Sequence, residues 1–233
     1  MTSSVPGWEA RLLPPPIRRP ALALLVPCAA LVTVLGVRYH DDAHAGRFDA
    51  RVYREISHVT GAYLHVLSGL ASAVPVLVIG LAVVLAAVCA VERRWRSAVL
   101  ALASPGLTTL VVESVKHVVD RTMRGALAYP SGHTAGATSI LVVAGILVLS
   151  RLRGRVVVTA AALFLVALAG AGIVGVIMVS THAHYATDTV AGFGTAVVVT
   201  LGVAFGLDAV PRRAGPGRAV AASPGPLPDH PRC

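Results

Sequence analysis

Residues 156–187 read VVVTAAALFLVALAGAGIVGVIMVSTHAHYAT, thirty-two positions without a single Asp, Glu, Lys or Arg. A helix needs about 20 apolar residues to cross a bilayer. This run therefore holds one crossing with polar residues at its end and is too short for two. Five more uncharged stretches accompany it: Ala21–Val37, Ile56–Val91, Ser97–Val112, Gly125–Ser150 and Thr189–Leu207. The Ser97–Val112 stretch falls short of a crossing and has to take in neighbours such as Glu113. Ala21–Val37 is read as a span and not as a signal peptide, because it is long and no small-residue cleavage site closes it. The expected fold is all-α, an integral membrane bundle of six transmembrane helices.

Composition supports the same class. The chain has 233 residues, 55% of them hydrophobic and only 13% charged, with a mean hydropathy of +0.75. A soluble domain carries about 25% charged residues, so an ordinary soluble enzyme, a disordered chain and a nucleic-acid binder are all excluded. With six spans, both termini share a side with the second-to-third and fourth-to-fifth loops. That side carries thirteen bases and four acids, the other seven of each, so the whole net charge of +9 lies on one face. The positive-inside rule makes that face cytoplasmic, and its excess charge implies contact with anionic lipid. Lys116 is the only lysine among twenty bases. That arginine bias in an Ala-, Val- and Gly-rich chain points to a GC-rich bacterial genome and a plasma-membrane location.

Residues 1–20 read as a cytoplasmic arm, residues 21–207 as the six-helix domain, and the proline-rich stretch 208–233 as a disordered cytoplasmic tail. Phe48, Val52 and Ile56 recur every four residues beside Arg47, Arg51 and Glu55, the pattern of an amphipathic helix, read either as lying at the outer interface with a role in lipid access or, more simply, as a solvated connector. Cys28, Cys89 and Cys233 form neither a disulfide framework nor a thiol metal set.

Ionisable groups near membrane depth are costly and mark function by default, and three such clusters converge at the outer ends of spans three to six. The first runs from Glu113 to Arg124 and contains Lys116, His117, Asp120, Arg121 and Arg124. The second, Tyr129-Pro130-Ser131-Gly132-His133-Thr134, is a turn that opens the fourth span. Ser131 there suits a helix N-cap, and the free N–H groups of a helix start also suit a phosphate. The third is His182-Ala183-His184-Tyr185-Ala186-Thr187-Asp188. His184 and Asp188 are four apart, the spacing of one helical face, and pairing them relieves a buried carboxylate and fixes the imidazole tautomer.

Pro130-Ser131-Gly132-His133, followed by His184 and Asp188 and preceded by Lys116, resembles the type 2 phosphatidic acid phosphatase family over roughly residues 45–207. The resemblance implies a metal-independent lipid phosphatase with its site at the outer face and with no cofactor. His184 is then the nucleophile that forms a phosphohistidine, Asp188 its orienting and charge-balancing partner, and His133 the general acid. Lys116, Arg121 or Arg124, the Ser131 hydroxyl and the Gly132 N–H would hold the phosphoryl oxygens. Two positions depart from the family pattern. Met123 and Arg124 stand where an Arg-Pro pair is usual, and Ile177 and Met178 where a Ser-Arg pair is usual. His182, one helical turn from Met178, is the expected auxiliary cation. The implied substrates are a polyprenyl phosphate or pyrophosphate, or a phosphatidate-like head group. A lipid phosphotransferase and a non-catalytic lipid-binding or scaffold protein remain the other readings.

Overall fold

The computed structural model describes residues 11–152 and 154–210. Six helices in it are long and apolar enough to cross a membrane. They are α1 (Pro15–Arg38), α3 (Leu64–Val91), α4 (Trp95–Val119), α5 (Gly132–Leu149), α6 (Val156–Ser180) and α7 (Ala186–Ala209). A shorter helix, α2 (Arg47–Thr60), lies between α1 and α3 and joins α3 through a single 3-10 turn at Gly61–Tyr63. Two two-residue strands, β1 (Thr122–Met123) and β2 (Ala126–Leu127), make an antiparallel hairpin between α4 and α5. The architecture is an all-α six-helix bundle, consistent with a multi-pass membrane protein.

The ends of the helices follow local chemistry more closely than the ends of the uncharged runs do. The short third run becomes long enough for a crossing by extending to Val119, taking in Glu113 and Lys116. Asp120 stops it in the left-handed region, with its N–H on the Lys116 carbonyl. The fourth run loses its first seven residues to the hairpin and turn, and Ser131 caps α5 by accepting the Thr134 N–H at 3.4 Å. The second run surrenders Ile56–Thr60 to the amphipathic helix, which forms where its four-residue periodicity places it.

Of the arm expected over residues 1–20, residues 11–20 pack onto the bundle. The helix starts at Pro15, where a proline costs no hydrogen bond, and Leu12 and Leu13 are buried. Asp208 holds this segment to the end of α7, accepting from Leu12 N at 2.7 Å, Leu13 N at 3.2 Å and Arg18 Nη1 at 2.9 Å. Residues 1–10 and 211–233 lie outside the described residues. At the same end Arg94 donates to Ser150 Oγ, and Arg151 pairs with Glu92. The segment before α1, the end of α7 and the α3–α4 and α5–α6 loops therefore gather at one arginine-rich end. An apolar groove of about 270 Å³ opens there between α1, α5, α6 and α7, lined by Ile17, Leu149 and Phe164 among others, well away from the histidines.

Helices α5 and α7 form the centre and bury about half of their lengths. Small residues allow this, since lipid supplies no hydrophobic drive between helices and packing and polar contacts must hold them. Ser139 Oγ links α5 to Thr200 Oγ1 on α7 at 3.0 Å and to Thr108 Oγ1 on α4 at 3.4 Å. Gly192 lets α7 press on the turn before α5: a Cβ there would stand 2.5 Å from the Ser131 carbonyl oxygen. Gly192→Ala is expected to destabilise the fold by about 1–3 kcal/mol through overpacking against backbone. Gly202→Ala, whose Cβ would meet nothing within 4 Å, should leave the melting temperature in detergent unchanged or slightly raised, and the two variants are compared by thermal unfolding.

Candidate active site

At the end opposite the arginine-rich loops, the last turn of α4, the β1–β2 hairpin, the start of α5 and the α6–α7 turn meet beneath α2. Helix α6 ends at Ser180, and the backbone then folds back on itself. Ala183 N and His184 N both donate to the Met178 carbonyl, at 3.0 and 3.3 Å. The His184 ring is thereby aimed at the hairpin, with only 7% of the residue exposed. Its Nδ1 lies 2.7 Å from the Ala128 carbonyl oxygen. A carbonyl only accepts, so Nδ1 carries the proton and Nε2 keeps its lone pair. Nε2 makes no hydrogen bond among the described residues. The His133 ring stands 6.3 Å away, centroid to centroid, in an edge-on arrangement. Burial, set against the Ala128 bond and reinforced by His133 and Lys116, pushes the His184 pKa down to about 4. The ring is neutral at physiological pH, the form a nucleophile requires.

Asp188 is not the partner that orients this ring. His184 Nδ1 is 3.9 Å from Asp188 Oδ2, beyond hydrogen-bond range, and its bond goes to Ala128 instead. The four-residue spacing puts the two close together, but His184 precedes the helix and Asp188 is already in its first turn. Asp188 Oδ2 accepts the Tyr185 N–H at 2.9 Å, capping α7, and Oδ1 takes Arg121 Nη1 at 2.6 Å.

Arg121 is also elsewhere than expected. It was a candidate to grip phosphate, yet it is fully buried and both terminal nitrogens are already committed, while Nε has no hydrogen-bond partner among the described residues. Nη1 donates to Asp188 and, at 2.7 Å, to Thr187 Oγ1, and Nη2 donates to Asp49 Oδ2 at 2.8 Å. The Tyr39 and Tyr185 rings close on it from 3.9 and 4.1 Å. The physical reason is charge: a guanidinium sealed from solvent needs carboxylate partners, and Asp49 of α2 and Asp188 of α7 supply them. Arg124, at the exposed hairpin turn with a φ of 53°, is left as the hairpin's solvent-facing cation.

Lys116 Nζ holds Glu113 Oε1 at 2.9 Å, and its side chain is 17% exposed. It faces the two histidines closely enough for its charge to depress His184. Ser131 is fully buried, and its hydroxyl is engaged with Thr134 Oγ1 at 3.2 Å and the Thr134 N–H. It caps a helix and does not present a free hydroxyl to a ligand. Gly132 begins α5 beside it. His182 packs against Tyr53 of α2 with ring centroids 4.5 Å apart and the planes tilted by 53°. Burial and then the Arg124 charge lower its pKa, so it does not replace a missing arginine at neutral pH. Met178 is fully buried in an apolar cluster with Val174, Ile177 and residues of α3, and that position offers nothing to an anion.

Asp49 was missed by sequence reasoning. It is 2% exposed and accepts Thr187 N at 2.9 Å, Thr187 Oγ1 at 3.1 Å and Arg121 Nη2. A signal did exist: Asp49 lies on the same helical face as Val52 and Ile56, where an acid is out of place. Among the described residues no three His, Cys, Asp or Glu side chains converge to hold a metal ion.

Compared with protein-family models, curated proteins and solved structures, the chain gives no match.

The depressed His184 has a consequence for stability. Unfolded, the ring titrates near 6.5; folded, near 4. Below pH 6.5 the unfolded chain takes up a proton that the folded chain refuses, so stability falls as the pH drops from about 6.5 to about 4, by on the order of 3 kcal/mol. Above 6.5 the group contributes nothing to pH dependence. His184→Asn retains a donor for the Ala128 carbonyl and does not titrate, and it is expected to remove this part of the acid sensitivity in melts at pH 7 and pH 5.

Proposed function

We propose that the protein is a membrane lipid phosphatase resembling the type 2 phosphatidic acid phosphatases, working through a phosphohistidine at His184. The observation that carries the reading is the His184 ring itself, buried and neutral, with Nδ1 tied to a backbone carbonyl and Nε2 unpartnered beside His133 and Lys116.

In this scheme Nε2 attacks phosphorus while the bond from phosphorus to the leaving oxygen breaks. His133, protonated at that moment, gives its proton to the leaving oxygen. A water then attacks the phosphohistidine and loses its proton to His133, the phosphorus–nitrogen bond breaks, and inorganic phosphate leaves with both residues restored. Lys116, the Gly132 N–H at the start of α5 and Arg124 at the mouth supply the positive charge that phosphoryl transfer needs. Arg121 and Ser131 support the site from behind. The substrate class is a lipid phosphate monoester or diphosphate, polyprenyl or phosphatidate-like, presented at the membrane surface.

A non-catalytic lipid-phosphate binder is the second reading. It is favoured by the sequestration of Arg121 and the apolar burial of Met178, which thin the anion clamp. Phosphate release from a panel of lipid phosphates in detergent with EDTA separates the two. For the phosphatase, His184→Ala is expected to lose at least roughly a thousandfold in kcat and His133→Ala about a hundred- to ten-thousandfold. Release that requires an added metal, or that survives His184→Ala, would sink the proposal.

The arginine-rich end is assigned to the cytoplasm of a bacterial plasma membrane, with both termini inside, from the positive-inside rule. A cysteine introduced at Gly125 in the hairpin turn should then react with an impermeant maleimide on intact spheroplasts. One introduced at Gly154, between α5 and α6, should react only after lysis.

A further inference from the structure

A histidine that accepts a phosphoryl group at Nε2 while Nδ1 keeps its proton becomes positively charged, and a buried ring needs a counter-charge to carry that load. Asp188 stands close enough, with Oδ2 at 3.9 Å from His184 Nδ1, but it is matched against Arg121 at 2.6 Å. One aspartate against one arginine leaves nothing over. The second carboxylate changes the balance. Asp49 reaches the same guanidinium at 2.8 Å from a different helix, and all three side chains are sealed from solvent.

The hydrogen bonds argue that both acids are ionised. Asp188 faces only donors, the Tyr185 N–H and Arg121 Nη1. Asp49 accepts from the Thr187 N–H, from Arg121 Nη2 and, at 3.4 Å, from the Gly46 N–H. The Thr187 hydroxyl accepts from Arg121 and so turns its own proton toward Asp49. No carbonyl accepts from either acid. Two aspartates and one arginine thus make a closed group with one negative charge in excess.

We infer that Asp49 is a positioning residue that supplies this surplus negative charge, so that Asp188, although paired to Arg121, balances the positive ring formed when His184 is phosphorylated. The inference rests on the phosphohistidine reading. The same carboxylate also accepts the N–H of Thr187 in the first turn of α7, which fixes the turn that carries His184, so charge and placement arrive through one side chain of α2.

The test compares wild type, Asp49→Asn and Asp49→Glu, each shown to be monodisperse in detergent. Turnover of a lipid phosphate is followed together with the level of acid-labile, alkali-stable phosphoenzyme. Asp49→Asn takes the group from one excess negative charge to none. It is expected to lower kcat roughly ten- to a hundredfold, to leave KM within about twofold, and to lower the phosphoenzyme level. Asp49→Glu keeps the charge on a longer side chain and should retain most of the kcat and the phosphoenzyme that Asp49→Asn loses. If Asp49→Asn turns over like wild type, or if Asp49→Glu is no faster than Asp49→Asn, the charge role is overturned while the phosphatase reading stands. A wild type silent on every lipid phosphate overturns both. Should Asp49→Asn fail to fold, Asp49→Glu carries the test: folded and within about tenfold of wild type it supports the inference, folded and inactive it overturns it.

Discussion

Arg121 carries its charge where no water reaches it, and the site end of the bundle is organised around that requirement. A buried ion is tolerable only when its partners are close, well aligned and numerous. Here the partners are the third residues of two separate helices, Asp49 in α2 and Asp188 in α7. An acid in a helix's first turn already answers the exposed N–H groups and the positive end of the dipole. Each carboxylate therefore stabilises its own helix and the guanidinium at once. Tyr39 and Tyr185 seal the faces of the cation. The Tyr185 hydroxyl also donates to the Ala43 carbonyl at 3.0 Å, and Thr122 N donates to Asp42 O at 3.1 Å, so the segment after α1 is stitched to the hairpin and to the α6–α7 turn.

The reactive-looking feature of the site is a product of backbone geometry. His184 is held by a carbonyl of the hairpin and by a turn closed on Met178, and its tautomer follows from the fact that a carbonyl cannot donate. Small residues make that geometry reachable. Gly192 brings α7 against the Ser131 turn, where Ser131 N also donates to the Asp188 carbonyl at 2.9 Å. The two motifs that face each other across the site are thus joined through main chain as well as through side chains. Few cations surround the histidines: among the described residues, Lys116 lies beside His184 and His133, and Arg124 lies near His182 at the exposed hairpin turn.

The two ends of the bundle use charge differently. At the arginine-rich end Arg151 pairs with the exposed Glu92, a contact that contributes little individually, while the buried Asp208 takes Arg18 and two backbone N–H groups. The largest apolar cluster, around Leu100, Val143 and Leu201, lies toward that end. At the site end the apolar clusters are small, three or four buried residues each. Polar contacts take over the fastening there, leaving it more dependent on every hydrogen bond being made.

The six long apolar helices, the amphipathic helix α2 and the Ser131 cap were legible in the chain because each depends on neighbours within a few positions. Desolvation acts on runs of apolar residues, amphipathicity on a four-residue period, and capping on a residue and the N–H groups that follow it. The gathering of Lys116, His133, His184 and Asp188 at one end was legible for the same reason, since counting spans sets the side on which each loop emerges. What tertiary structure alone decided was the pairing. Arg121 could be placed at that end from sequence, but its partners are 72 and 67 residues away. Nothing local distinguishes an arginine that faces a ligand from one turned behind a hairpin. Asp188 was given to His184 by spacing and taken by Arg121 in three dimensions, because a full charge at 2.6 Å in a closed pocket outweighs a neutral ring at 3.9 Å.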